Sequence, residues 1–352
     1  MAAPTEADLD DIIGIEDLAN DRIVQLMAVD EKKRDLKWVK DTLQAAIDLE
    51  LSTIPPYLCA LWDIREPREH QVSGRISGVV LDEMFHMGLV CNILTGLGGT
   101  PDIVGAARRM NYPMALPGNV HPGHKVHLGG LSSEALKDFM KIEEPENPLA
   151  VLSSKPTIGK FYDGIADALR DLTPVPEIRT AKQQAVNIGA NELKVLNNLD
   201  AVLNAIKVIK EQGEGTEKLP NDPHNKGELA HYYRFGEIAA GKTLRLVSRD
   251  PDKWEFVGDR IRWPETHGMD RMTQRRWPKP DDKTAAALDK FNDAYAAMLG
   301  ALQKAWAEGS SDALQKSIDV MRDMAGLATE IMKIRLPGST IRSYGPEFFL
   351  KP

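Results

Sequence analysis

VSGRISGVVLDEMFHMGLVCNILTGL, residues 72–97, is apolar almost all round a helix, yet it carries Glu83 and His86 one turn apart. A helix apolar on every side belongs in the middle of a bundle, and any charge on it needs a partner because an unpaired buried carboxylate is costly. Glu and His spaced i, i+3 leave the same helix face, so together they can reach one metal ion. Gly98-Gly99 with Pro101 beyond supply the stop.

Upstream, Leu36, Val39, Leu43, Ala46, Ile47, Leu51 and Ile54 recur at steps of three and four and predict a helix over about 35–62. Glu50 lies inside it. Pro55 and Pro56 lack the N–H groups that would bond one turn back, which predicts a kink just after Glu50, with carbonyls freed near Leu51 and Ser52. If the two helices are antiparallel with a turn centred near residue 67, Glu50 comes level with the Glu83/His86 pair. That is the Glu plus Glu-x-x-His half-site with which helix bundles hold two iron or manganese ions.

A dinuclear centre needs a second half-site, and KGELAHYYRFGEI supplies Glu228 and His231 at the start of a later helix. With a turn near residue 219, the opposing level falls at residues 210–214, where both Glu211 and Glu214 stand. The expected ligands are therefore Glu50, Glu83, His86, Glu211 or Glu214, Glu228 and His231. Carboxylates bridge two hard cations, imidazoles complete each coordination sphere, and open positions remain for water or dioxygen. Two iron ions are the expected cofactor, with manganese an alternative. A metal-free structural bundle is the competing reading, in which Glu83 is dispensable.

The remaining chain reads as helices over about 132–144, 157–171, 181–212 and 226–247, with two more covering about 284–335. Residues 100–131 read as a long loop or short strands and 249–283 as a loop insertion. A length of 352 residues suggests about two domains, but ligands running from residue 50 to 231 must meet in one bundle. The expectation is a single all-α domain over 1–352, a four-helix core decorated by loops and C-terminal helices. Hydrophobic residues make up 42% and charged residues 27%, which excludes disorder and collagen. The formal charge of −8 leaves no basic surplus for nucleic acid or anionic membrane and favours a small-molecule substrate. Cys59 and Cys91 cannot frame a disulfide scaffold, the acidic start MAAPTEADLDDII is unlike a secretory signal, and no stretch reaches the roughly 20 apolar residues of a membrane span. A cytoplasmic protein is expected.

The strings LELSTIPPYLCALW (49–62), LDEMFHMGLVCNILTGLGGTP (81–101), IEEPE (142–146), IGKFYDGI (158–165), QGEGT (212–216), HYYRFGEI (231–238) and GPEFF (345–349) run in order across most of the chain. In them the sequence resembles the ferritin-like family of violacein and rebeccamycin pathway enzymes, the iminophenyl-pyruvate dimer synthase type. The resemblance implies a ferritin-like four-helix bundle and places the third-helix ligand at Glu214 rather than Glu211. It also sets IEEPE beside the core, where Glu143 could face the metals. It does not fix the reaction, because this chain is far shorter than the large synthases that embed such a domain. The expected activity is a dioxygen-dependent oxidation of a small organic substrate, with an amino or imino acid of natural-product biosynthesis as one candidate and imine dimerisation as another. The alternative is an iron-storage or ferroxidase protein without an organic substrate.

Other candidates have simpler explanations. His121, His124 and His127 form an H-x-x-H-x-x-H in a Gly/Pro loop, where solvation explains them better than metal. Glu143 and Glu144, before Pro145, read from local pattern alone as surface residues. Glu237 falls opposite the ligand face. Tyr57 and Tyr232 suit pocket lining or electron transfer, with aromatic packing the commoner role. Trp254, Trp263 and Trp277 suit a lid, a homo-oligomer contact or loop packing. No residue is assigned to catalysis itself.

Overall fold

The computed structural model describes residues 22–66, 70–115, 124–144, 158–214, 220–221, 224, 228–249 and 252–351. It is a helical bundle with extra C-terminal helices, as expected from the sequence. The core pair is α1 (Leu36–Asp63) and α2 (Gln71–Gly96). After α3 (Ile103–Arg109) come α4 (Ser133–Ile142), α5 (Ile158–Asp171), α6 (Leu199–Glu214) and α7 (His231–Ala240), all of which pack on α1, on α2 or on each other. The helix pair α8 (Asp282–Glu308) and α9 (Ser311–Met332) closes the chain's other side.

Local chemistry sets several starts. Asp35 caps α1 by accepting from Trp38 N at 2.8 Å, Ser132 caps α4 from Ala135 N at 3.0 Å, and Asp281 caps α8 from Thr284 N at 2.7 Å. Each such cap contributes about 1 kcal/mol. α1 continues through Pro55 and Pro56 as a helix. The Ser52 carbonyl that Pro56 leaves free accepts instead from the Tyr112 hydroxyl at 2.6 Å.

α2 corrects one expectation. It is long and apolar enough to cross a membrane by length and composition, but 78% of its most apolar window is buried inside the protein. That is the environment of a central bundle helix.

Three other boundaries differ. The helix expected over 181–212 starts only at Leu199, because Val186–Ile188 (β3) and Asn191–Leu193 (β4) form an antiparallel hairpin. Gly189 makes the two-residue turn at φ +61°, a conformation an L side chain rarely adopts. The helix expected over 226–247 is only the ten residues of α7. It stops at Gly241 in the left-handed region (φ 65°), and the alternating KTLRLVSR that follows is a strand. That strand, β5 (Lys242–Arg249), pairs with β6 (Asp252–Arg260), so part of the expected 249–283 loop is a hairpin. Within 100–131, α3 and a short pairing of Met114–Ala115 (β1) with Lys125–Val126 (β2) supply order.

These additions brace α7. A Cβ on Gly236 would meet Phe256 Cζ at 2.5 Å, so α7 lies directly on the β5–β6 hairpin. Glu237 accepts from Arg75 Nε at 2.6 Å and Leu244 N at 2.7 Å, tying α7 to α2 and β5. The tail is also structural. Glu347 of the GPEFF string is buried and accepts from Trp277 N at 2.9 Å and Asn292 Nδ2 at 3.0 Å.

Candidate metal centre

On α1, Glu50, Thr53 and Tyr57 follow one another at i, i+3 and i+7 and so share a face. α2 opposes it with Glu83 and His86, at the level antiparallel packing predicted. Glu143 comes from the C-cap of α4, and His231 is the first residue of α7. All five metal-ligand candidates are buried, with His231 at 0% and Glu143, the most accessible, at 6% exposure, so none belongs to a solvated face.

Their ligand atoms form two groups. Those of Glu50, Glu83 and His86 lie within 4.8 Å of one another, and so do those of Glu83, Glu143 and His231. Glu83 belongs to both. His86 Nδ1 stands 3.5 Å from Glu50 Oε2 and 3.8 Å from Glu83 Oε1. His231 Nδ1 stands 2.9 Å from Glu83 Oε1 and 3.4 Å from Glu143 Oε2. The imidazoles face each other, ring centres 5.6 Å apart.

The far atoms of these groups are held from behind. Tyr57 donates to Glu143 Oε1 at 2.6 Å, Thr53 to Glu83 Oε2 at 2.7 Å, and Tyr162 to Glu50 Oε1. Each carboxylate therefore has one oxygen fixed by a neutral hydroxyl and the other turned inward. His86 Nε2 meets Gln212 Oε1 at 2.9 Å, and His231 Nε2 lies 3.4 Å from Asp82 Oδ2. Both histidines thus present Nδ1 to the centre, the arrangement by which outer groups orient metal-bound imidazole.

The electrostatics describe a site short of positive charge. Asp82 is answered by Arg234 Nη1 at 3.0 Å. Among the described residues, Glu50, Glu83 and Glu143 have only the two imidazoles as ion-pair partners. Burial, reinforced by the Glu143 and Glu50 charges and opposed by His231, pushes the Glu83 carboxyl up to about 7. Burial pulls His231 down, but the carboxylates of Glu143, Asp82 and Glu83 more than reverse it and hold the imidazole well above its ordinary value. His86 is raised in the same way, Glu50 outweighing burial. Burial, then the adjacent Glu143 and Glu50, put the Tyr57 and Tyr162 phenols well above theirs. Without metal the cluster holds protons it would surrender to a cation.

The donor set fits metal ions. His231 Nδ1, the nitrogen turned toward Glu83 and Glu143, is buried without a hydrogen-bond partner of suitable geometry, the kind of orphan a bound cation relieves. Three carboxylates and two neutral imidazoles around two divalent ions leave a net positive charge. That surplus suits hydroxide, a fourth carboxylate or an anionic substrate.

Four of the expected ligands meet here: Glu50, Glu83, His86 and His231. Glu228 does not. It lies three residues before α7 begins, in extended chain next to the Asn221–Leu229 bridge, so the i, i+3 face rule does not apply to it. Its side chain is 58% exposed, with Arg234 Nε 3.8 Å away. The place of a second-half-site carboxylate is taken by Glu143, which the local pattern assigned to the surface. Glu211 points elsewhere, to His224 Nε2 at 2.7 Å. The side chain of Glu214 lies outside the described residues.

His124 lies 3.5 Å from Asp138, and His127 Nδ1 meets the Met272 carbonyl at 2.9 Å; His121 is outside the described residues. Tyr57 serves Glu143, whereas Tyr232 packs edge-on against Tyr233. Trp277 is buried, its indole donating to the Gly345 carbonyl at 2.8 Å, and Trp263 is half exposed. Sequence reading missed Asp82, Thr53, Tyr162 and Gln212. Two of them carried a signal: Asp82, as a further charge on the nearly all-apolar helix, and Thr53, one turn from Glu50 on the same face.

A family model described as ferritin-like matches residues 43–240, a span that includes every ligand named above. No curated protein matches. Among solved structures, a ferritin-like protein from Caulobacter vibrioides is similar with a TM-score of 0.57 and 22% identity, over 87% of this chain and 97% of that one. At that identity the likeness is one of fold.

Proposed function

This chain belongs to the ferritin-like family, and on that premise we propose that it is a non-haem dinuclear metal oxidoreductase, with two iron ions, that acts with dioxygen on a small organic substrate. The observation that carries the reading is the pair of three-residue groups joined at Glu83. A mononuclear site has no use for the second group.

Two bound metal ions would supply redox equivalents and open coordination positions. The chain's own residues do the rest. Glu50 and His86 would hold one ion and Glu143 and His231 the other, with Glu83 available to both groups. Tyr162, Thr53 and Tyr57 fix which carboxylate oxygen faces inward. Tyr57, Phe139 and Phe235, with ring centres 4.7–5.2 Å apart, form an aromatic wall that excludes water beside Glu143. Within this reading the substrate is an amino or imino acid. The resemblance of the sequence strings to those of imine-processing enzymes supports that class, and the positive surplus of the loaded centre suits a substrate carboxylate.

The test is metal content after anaerobic loading, followed by oxygen uptake with candidate amino and imino acids. Two iron ions per chain and substrate-dependent uptake are expected. Fewer than two iron or manganese ions per chain overturns the dinuclear reading. Uptake that depends on ferrous ion alone replaces the enzyme with a storage or ferroxidase protein.

A further inference from the structure

The backs of the two histidines are joined. Starting from His86, Nε2 meets Gln212 Oε1 at 2.9 Å, Gln212 Nε2 donates to Asn191 Oδ1 at 3.1 Å, and Asn191 Nδ2 donates to Asp82 Oδ1 at 2.6 Å. The other oxygen of Asp82 then faces His231 Nε2 at 3.4 Å. Asp82, Gln212, Asn191 and both imidazoles are buried.

This chain has a forced direction. An ionised carboxylate only accepts, so Asn191 must turn its NH2 toward Asp82 and its oxygen toward Gln212. Gln212 must then give its NH2 to Asn191 and keep its oxygen for His86. Facing that oxygen, His86 must carry hydrogen on Nε2, which leaves its Nδ1 for the metal; at the other end the Asp82 charge 3.4 Å from His231 Nε2 favours hydrogen on that nitrogen by electrostatics alone. The charge of Asp82 therefore sets the tautomer of His86 through two hydrogen-bonded amides and biases that of His231 across the 3.4 Å gap.

The hairpin that carries Asn191 is held for this task. Asn191 pairs with Ile188 across the Gly189 turn, and a Cβ on Gly189 would meet Leu81 Cδ1 at 2.9 Å. The turn thus rests on the residue just before Asp82. A bundle of helices alone has no element at this point, so β3–β4 supplies the link that closes the circuit.

We infer that Asn191 and Gln212 are positioning residues that hold both histidines with Nδ1 open to metal and couple one half-site to the other. The inference rests on the dinuclear reading. Gln212 meets His86, and it reaches the His231 half-site through Asn191 and Asp82. A change at Gln212 should therefore be felt by a metal held on the opposite side.

Cobalt(II) is the probe, read by its visible absorption and by competition with a chelator. Gln212→Met, close to the native volume, and Asn191→Leu should each bind cobalt about 10–100-fold more weakly than the unaltered chain. In a His86→Ala background, where the His231 half-site remains, adding Gln212→Met should weaken the residual site about tenfold and alter its absorption, with the near-ultraviolet circular dichroism unchanged. Should either variant fail to fold, Asn191→Ser, which truncates the amide without adding bulk, gives the same reading. If the unaltered chain takes up fewer than two cobalt ions, the dinuclear reading fails and the inference with it. If it takes up two and the variants match its affinity and spectrum, the inference alone is overturned.

Discussion

Glu83 Oε1 stands 2.9 Å from His231 Nδ1, across the interface between α2 and α7, while the same oxygen lies 3.8 Å from His86 on its own helix. One carboxylate is therefore common to both candidate half-sites, and its loss should not resemble the loss of any other. Glu83→Gln removes a ligand from both groups and should drop metal content below about one ion per chain, whereas Glu143→Gln should retain about one. Elemental analysis after anaerobic loading decides it. Equal losses in the two variants would contradict a shared carboxylate.

The proton balance of the metal-free cluster gives a pH dependence with a definite sign. Glu83 is pushed up to about 7 from an ordinary value near 4.5, so between those limits the folded chain keeps a proton that the unfolded chain releases. Metal-free stability must then fall as pH rises through that window. His86 and His231 act in the same direction, because imidazoles raised by their carboxylates stabilise the fold below the ordinary value of 6.5 and lose that contribution as pH passes their folded values. Metal needs all three deprotonated. The gap in Tm between loaded and metal-free protein should widen between about pH 5 and about pH 8, read by thermal unfolding with manganese(II). A constant gap would mean that these groups do not hold the ions.

How much of this was legible in the sequence depends on whether a residue's partner lies on a regular helix. Glu50 and Glu83 could be brought level because α1 and α2 are both long, unbroken helices separated by only seven residues of sequence. Glu228 was misplaced because helical spacing was applied to residues that precede the helix. Glu143 sits at a helix end, where nothing in its own neighbourhood marks it as buried, and only the family resemblance pointed inward. Asn191 was hidden inside a stretch read as helix. There the alternation of Val186, Ile188 and Leu193 around Gly189 was the missed signal, and its period of two was masked by the helical period of Leu199, Val202, Leu203, Ile206 and Ile209 that follows.

The exposed position of Glu228 makes a separate prediction. Its carboxylate lies in water, and its contact with Arg234 at 3.8 Å is of the kind worth little. Glu228→Ala should leave metal content at the wild-type level and change stability by no more than about 0.5 kcal/mol. Elemental analysis and denaturant unfolding of the variant measure both. A loss of one metal ion would return Glu228 to the ligand set.

Tyr57 and Tyr162 can be separated from ordinary aromatic packing by removing one atom. Each phenol is fully buried and gives its hydrogen to a ligand carboxylate, Tyr57 to Glu143 and Tyr162 to Glu50, so phenylalanine preserves the ring and deletes the donor. The carboxylate oxygen left behind has no water to turn to. That deletion should cost the metal-free fold about 1–3 kcal/mol and weaken metal binding about tenfold. The two losses should fall on different half-sites, Tyr162→Phe on the one built from Glu50 and His86, Tyr57→Phe on the one built from Glu143 and His231. Combined in one chain, Tyr162→Phe and Glu143→Gln should therefore act on separate ions and reduce affinity at both. Tyr232→Phe, on a ring that packs against Tyr233, should leave metal affinity unchanged. If all three single variants bind metal like the wild type, the phenols serve packing alone, and the inward oxygens of Glu50 and Glu143 are set by the helices rather than by their hydroxyl partners.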